Sequence, residues 1–506
     1  MSAPILAIGL DAFELDRVQR LAGGGRAPVL ARLLRRGRLI PLRGECPDVV
    51  LEPWHGFVAD APLGAHGRFH LKEWDAKAGR FRLASDWHEM PRAFWWELAA
   101  RGLRIAILDV PFAPDPTREQ ATIALAGWQV HDLGPRGSRP AGYFDELARR
   151  FGAPALGPER YGDVAPARLL EIARECREAT RQFGAILCDL LARGPFDLVL
   201  AVLGTVHRAG HYLRDPGRLV VEGRIDPATA ERLEDALDAV YAQADAVLGS
   251  VLEAVPPRTA LVLFALHGMG AETPWTERLP QILDFLAGGG ELARTRGWLA
   301  KLRRSPLALA LARSLPRGPQ DLLGRFTGRW LYDWSATRVF AVPSEGIGAV
   351  RVNLLGRDRF GIVRPGAEAR ALLDALEERL FGLRELATGE PVVEAVRRTE
   401  DLVGEDAPGR ERLPDLLIQW RELPLERCRG LVAPDGRVLA FDTPIRASSG
   451  RTGNHRPGGF ALLVDADPGP LSGPAGASVR DLPKFLCALA TARKDRSASA
   501  PARLDA

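Results

Sequence analysis

The sequence predicts an α/β fold with a largely parallel central sheet sandwiched by helices. Several short runs of consecutive apolar residues lack polar alternation, as strands buried on both faces do. Between them lie segments with apolar residues at three- and four-residue spacing, the period of amphipathic helices. The two patterns alternate along the chain, which is the signature of a parallel sheet with crossover helices.

Taken in order, ILAIGL (5–10) is the first strand and RAPVLARLLRRG (26–37) a helix. LRIAILDV (103–110) is a second apolar run. PARLLEIARECREATRQFGAILCDLLARG (166–194) keeps helical spacing up to the strand DLVLAVLG (197–204). PATAERLEDALDAVYAQADAVLGSVLEAV (227–255) repeats the alternation and leads to ALVLFAL (260–266). RVFAVP (338–343), DLLIQW (415–420) and GFALLVDA (459–466) complete the strands. Sheets of this class bind ligands just beyond the carboxyl ends of their strands, so the site is sought there.

With 506 residues the chain exceeds the roughly 250–300 that one core holds, and more than one lobe is expected. At 46% hydrophobic and 26% charged residues the composition is ordinary for a globular protein. The net charge is +4, but only five of the 68 basic residues are lysine, a compositional bias rather than a nucleic-acid footprint. Cys46, Cys176, Cys188, Cys428 and Cys487 show no metal spacing, and their odd number argues against a disulfide framework. The amino terminus has no basic n-region, and no apolar run approaches the roughly 18–20 residues that span a bilayer. A soluble cytoplasmic protein is expected.

Residues 1–290 and 336–490 read as one α/β domain, 291–335 as a basic helical insertion or lid, and 491–506 as a disordered tail. No acidic residue occurs from Arg294 to Gln320, where arginines surround LALALARSL. This segment reads either as a solvated helical face bounded by Pro306 and Pro316 or as a basic helix able to lie on an anionic membrane.

Four of the nine histidines fall at sheet ends. His207 and His211 in VLGTVHRAGHYL follow the strand 197–204, four residues apart, so a helical turn would aim both imidazoles the same way, as a metal pair requires. His267 follows the strand 260–266 and opens a glycine turn, while His455 lies in GRTGNHRPGG, a glycine-rich loop before the strand 459–466. Asp11 adds a carboxylate at the end of the first strand. Singly, each fits a structural role, a satisfied histidine or a helix-capping aspartate. Together they point to a hydrolytic metal site.

With AIGLDAF, PWHGF, HRAGH, LHGMG and GRTGNHRP in this order, the chain resembles the alkaline phosphatase superfamily, and within it the type I phosphodiesterase/nucleotide pyrophosphatase branch. The segments VRVNLLGRDRFGIVRPGAE, TGEPVV and PDLLIQW are similar to the carboxyl-terminal half of certain bacterial members. The resemblance implies a two-metal site, usually zinc, that clamps a phosphoryl group while a Thr or Ser alkoxide attacks phosphorus. It places the family's first aspartate on Asp11, its Asp-x-x-x-His pair on His207 and His211, its final histidine on His455, and its Asp-His-Gly on Leu266, His267 and Gly268. The nucleophile position falls on Val50, which has the shape of threonine without the hydroxyl, and Leu266 removes a second-metal carboxylate. Glu52 and Asp48 are candidate substitutes, and Cys46 is either a buried structural thiol or a remote candidate nucleophile.

Two functions fit these residues. One is a divergent metal-dependent hydrolase of a phosphomonoester, phosphodiester or related anionic ester. Here His207, His211 and His455 hold one zinc or another divalent ion that activates water directly, and Asp11 and His267 position that water, hold a weaker second ion or transfer a proton. Arg451 and Arg456, which flank His455, are candidate contacts for the substrate anion. The other is a catalytically inactive relative that serves as a scaffold for an anionic ligand or a protein partner.

Overall fold

The computed structural model describes residues 4–46, 53–83, 92–129, 135–157, 164–273, 275–287, 332–423, 428–441, 450–467, 469–472 and 477–498. Among these, nine strands form the central sheet in the spatial order Ala477–Ser478, Arg38–Arg43, Gly459–Val464, Ala260–Ala265, Ile5–Leu10, Leu198–Leu203, Ile105–Leu108, Ile123–Ala126 and Gly137–Arg139. Neighbours from Ala260–Ala265 through Ile123–Ala126 run parallel, while Gly459–Val464 and Gly137–Arg139 bound them antiparallel.

The absence of alternation in the strand sequences has a direct cause. Ile5–Leu10 is buried at every position. Leu6, Ile8 and Leu10 face an apolar cluster built with the helices Pro166–Ala192 and Pro227–Ala254. Ile5 and Ala7 face a second cluster on the opposite side, which takes in Trp54 and Phe57, Trp95 and Leu98, and Leu482, Phe485 and Leu486. Successive side chains point to opposite faces, so a strand covered on both must be apolar throughout.

The structure departs from the sequence reading in three respects. Strands within RVFAVP and DLLIQW lie outside the central sheet. Val339–Ala341 and Leu416–Trp420 join Ile347–Val352 and Val393–Arg398 in a separate antiparallel sheet, which has its own apolar core with the helices Trp275–Leu286 and Ala367–Phe381. The glycine turn after His267 and the glycine-rich loop around His455 are instead two paired strands, Gly268–Ala271 and Gly453–Arg456. Backbone hydrogen bonding between distant segments overrides the local turn chemistry there. Finally, the helix Asp481–Ala498 runs into the segment expected to be a disordered tail. Its Leu482, Phe485, Leu486 and Ala490 are buried against the sheet and hold it in place.

The basic segment 294–320 lies outside the described residues. Among the described residues, no helix is long and apolar enough to cross a membrane.

Candidate metal centre

Three adjacent parallel strands deliver residues to one place. Asp11 directly follows Ile5–Leu10, and its backbone N–H donates to Leu203 O at 3.1 Å. The helix Thr205–Leu213 starts just after Leu198–Leu203 and carries His207 and His211 one turn apart. His267 lies just beyond Ala260–Ala265. His455 comes from the strand Gly453–Arg456, where it sits opposite Met269. That strand reaches the helix because Gly453 has no side chain: a Cβ there would stand 2.3 Å from Gly210 O.

The imidazoles of His207, His211 and His455 converge through their Nε2 atoms. His207 Nε2 is 2.7 Å from His455 Nε2 and 3.1 Å from His211 Nε2. His211 Nδ1 lies 2.9 Å from Gly453 O, a carbonyl that can only accept, so Nδ1 carries the proton and Nε2 presents a lone pair. A proton on His207 Nε2 satisfies only one of its two neighbours, whereas a cation among the three lone pairs satisfies all of them. Nitrogens around a tetrahedral zinc stand roughly 3.3 Å apart, given bonds of about 2.0–2.1 Å, so the observed spacing is near that of a ligand set. One ligand atom from each of the three residues lies within 4.8 Å of the others, and the group could hold a metal ion.

Asp11 and His267 stand beside this trio. Asp11 Oδ2 is 3.7 Å from His207 Nδ1, on the side of the ring away from the trio. Asp11 Oδ1 accepts from Trp54 Nε1 at 2.9 Å and lies 3.6 Å from His267 Nε2. His267 Nδ1 is 3.2 Å from Gly268 O, and its ring centroid is 4.2 Å from that of His455. Leu266 is 2% exposed and packs in the apolar cluster that holds Trp54 and Phe264, so no carboxylate stands at that position. Arg451 is buried, with Nη1 3.3 Å from Glu345 Oε1. Arg456, next to His455 on the same strand, faces the other way and comes within 3.6 Å of Glu422 Oε1. Val50, Glu52 and Asp48 lie outside the described residues. Cys46 is buried in the core of the second sheet.

Sequence reasoning missed that Trp54, the tryptophan of PWHGF, holds Asp11 through its indole. It also missed a support behind His455. Asn454 Oδ1 accepts from His455 N at 2.8 Å, while Asn454 Nδ2 donates to Glu272 Oε2 at 2.8 Å. Burial is the main cause that pushes the Glu272 carboxyl up to about 8; Glu277 adds to it, against Arg218, Arg451 and the Asn454 hydrogen bond. No motif carried this signal, because the pairing depends on the register between Gly268–Ala271 and Gly453–Arg456.

Among solved structures, phosphonoacetate hydrolase from Sinorhizobium meliloti 1021 in complex with phosphonoacetate matches at 14% identity and a TM-score of 0.53, over 97% of this chain and 96% of that one. The same enzyme with phosphonoformate matches at 13% identity and a TM-score of 0.52, again over 97% and 96%. At this identity the likeness is one of fold alone, an alkaline-phosphatase-like α/β fold with a nine-stranded central sheet. A looser match is murine ectonucleotide pyrophosphatase/phosphodiesterase 5, an inactive variant with AMP, at 12% identity and a TM-score of 0.46 over 97% of this chain and 95% of that one. No protein-family model and no curated protein matches the sequence. Within this alkaline-phosphatase-like fold, the imidazole trio lies at the carboxyl ends of the parallel strands, the ligand-binding edge of an open α/β sheet.

Proposed function

We propose that the chain is a metal-dependent hydrolase of a phosphomonoester, phosphodiester or related anionic ester, phosphonates included. The observation that carries this reading is the convergence of three Nε2 atoms from His207, His211 and His455. Those three residues fit one ion, with zinc as first choice for an all-imidazole set. A bound ion supplies Lewis acidity at a phosphoryl oxygen and acidifies its water. Val50 has no hydroxyl to attack phosphorus, so water is the nucleophile and no covalent intermediate forms.

His267 is the proposed proton acceptor. Its Nδ1 donates to Gly268 O, which leaves Nε2 as a base facing Asp11 Oδ1 across 3.6 Å. Asp11, held by Trp54 Nε1, stabilises the imidazolium that results. For the substrate anion the proposal retains Arg451 and Arg456; Arg451 shares the Glu345 carboxylate with His455, whereas the Arg456 side chain, 47% exposed, lies on the other face of the strand from His455. Phosphonoacetate hydrolase, which shares the fold, binds small phosphonate anions, and the same class is the first to try here.

A second reading has one observation in its favour. Leu266 is packed in an apolar cluster where the resemblance calls for a metal-binding carboxylate, as an inactive scaffold would show. Metal analysis by mass spectrometry and a screen of aryl phosphate monoesters and diesters, sulfates and phosphonates decide between the two. About one zinc per chain, lost together with turnover in His211→Ala, supports the hydrolase. Absence of bound metal and of turnover with every ion tried supports the scaffold.

A further inference from the structure

We propose that Glu345 is a positioning residue for His455, so that the second sheet contributes to metal binding in the first. This rests on the metal-site reading above. In ligating histidines, the ring nitrogen that does not bind metal usually donates to a carboxylate, carbonyl or water, which fixes the tautomer and raises ligand basicity. Two of the three imidazoles already show an oxygen on that side: His211 Nδ1 has Gly453 O at 2.9 Å, and His207 Nδ1 has Asp11 Oδ2 at 3.7 Å. His455 completes the pattern. Its Nε2 points at His207, and its Nδ1 lies 4.0 Å from Glu345 Oε2.

Glu345 sits in the turn between the strands Val339–Ala341 and Ile347–Val352, far from His455 in the chain. Ser344 Oγ donates to Ile347 O at 2.6 Å and shapes that turn. Gly346 has φ +72°, and a Cβ on it would stand 3.1 Å from His455 O and 3.4 Å from Asn454 Oδ1, so the turn is pressed against the histidine strand. The other Glu345 oxygen lies 3.3 Å from Arg451 Nη1, which holds the carboxylate in place. At 4.0 Å the contact is longer than a direct hydrogen bond. An ion with bonds of about 2.0–2.1 Å would keep its nitrogens further apart than 2.7 Å, so ion binding would require the His207–His455 gap beside Glu345 to widen.

The test uses the full chain stripped of metal, zinc alone as the probe, and competition against a chromophoric chelator. Glu345→Ala is expected to weaken zinc binding roughly 10- to 100-fold, the usual effect of losing such a partner, and Glu345→Gln, which keeps an acceptor oxygen, less. Arg451→Met removes the 3.3 Å partner of the carboxylate but keeps the carboxylate itself, and is expected to weaken zinc binding less than Glu345→Ala does. The melting temperature of the metal-free protein should not move in Glu345→Gln, and zinc should slow amide exchange at residues 343–347 in the parent but not in Glu345→Ala. Zinc held by Glu345→Ala as tightly as by the parent, or an equal loss in Arg451→Met, overturns the inference and leaves the metal site standing. A parent chain that takes up no zinc removes both.

Discussion

Replacing Glu272 by glutamine tests the support behind His455 through its pH dependence. The carboxyl is 6% exposed and accepts from Asn454 Nδ2 at 2.8 Å, a bond the glutamine carbonyl oxygen can keep. Its rise from 4.5 to about 8 corresponds, at about 1.36 kcal/mol per pH unit, to roughly 4–5 kcal/mol between the protonated and ionised forms in the fold. The folded carboxyl holds its proton more tightly than the unfolded chain does. Its contribution is therefore fully present below about pH 4.5, falls as the pH climbs, and is gone above about pH 8. Glutamine removes this dependence. In urea denaturation followed by tryptophan fluorescence, Glu272→Gln should match the parent near pH 4.5 and exceed it by several kcal/mol near pH 9. A difference that is the same at both pH values, or a parent more stable at pH 9, refutes the reasoning.

Three further outcomes follow from packing and hydrogen bonding. Gly453→Ala places a Cβ 2.3 Å from Gly210 O, and should cost about 1–3 kcal/mol in denaturation while weakening zinc uptake, because it pushes His455 away from His207 and His211. Trp54→Phe removes the indole donor on Asp11 and should cost about 1.5–3 kcal/mol, the range for a hydrogen bond to a charged group, with zinc content by mass spectrometry unchanged. Leu266→Asp puts an unpaired carboxylate into an apolar cluster and should lower stability by about 3–5 kcal/mol at neutral pH and by less in acid; thermal melts at pH 4 and pH 7.5 check this.

The parts of the fold that local pattern determines were legible in the sequence. Ile5–Leu10, Leu198–Leu203 and Ala260–Ala265 are uniformly apolar because both faces are covered, and the helices Pro166–Ala192 and Pro227–Ala254 keep helical spacing because one side packs on the sheet. The convergence of His207, His211 and His455 was expected too: the four-residue spacing at a strand end paired His207 with His211, and the resemblance to the alkaline phosphatase superfamily added His455. What escaped depends on contacts between distant segments. Gly453–Arg456 is rich in turn-forming residues, and only its pairing with Gly268–Ala271 makes it a strand. Once it is a strand, alternation sends His455 and Arg456 to opposite faces, which the loop reading could not foresee. Glu345 carries no local mark, because its place depends on where the second sheet docks.

The most direct measurement is an anomalous difference map at the zinc edge from crystals of the zinc-loaded chain. The account predicts one strong peak per chain, within about 2.0–2.1 Å of the Nε2 atoms of His207, His211 and His455. A peak centred instead between Asp11 and His267, or zinc bound with those three rings turned apart, contradicts it.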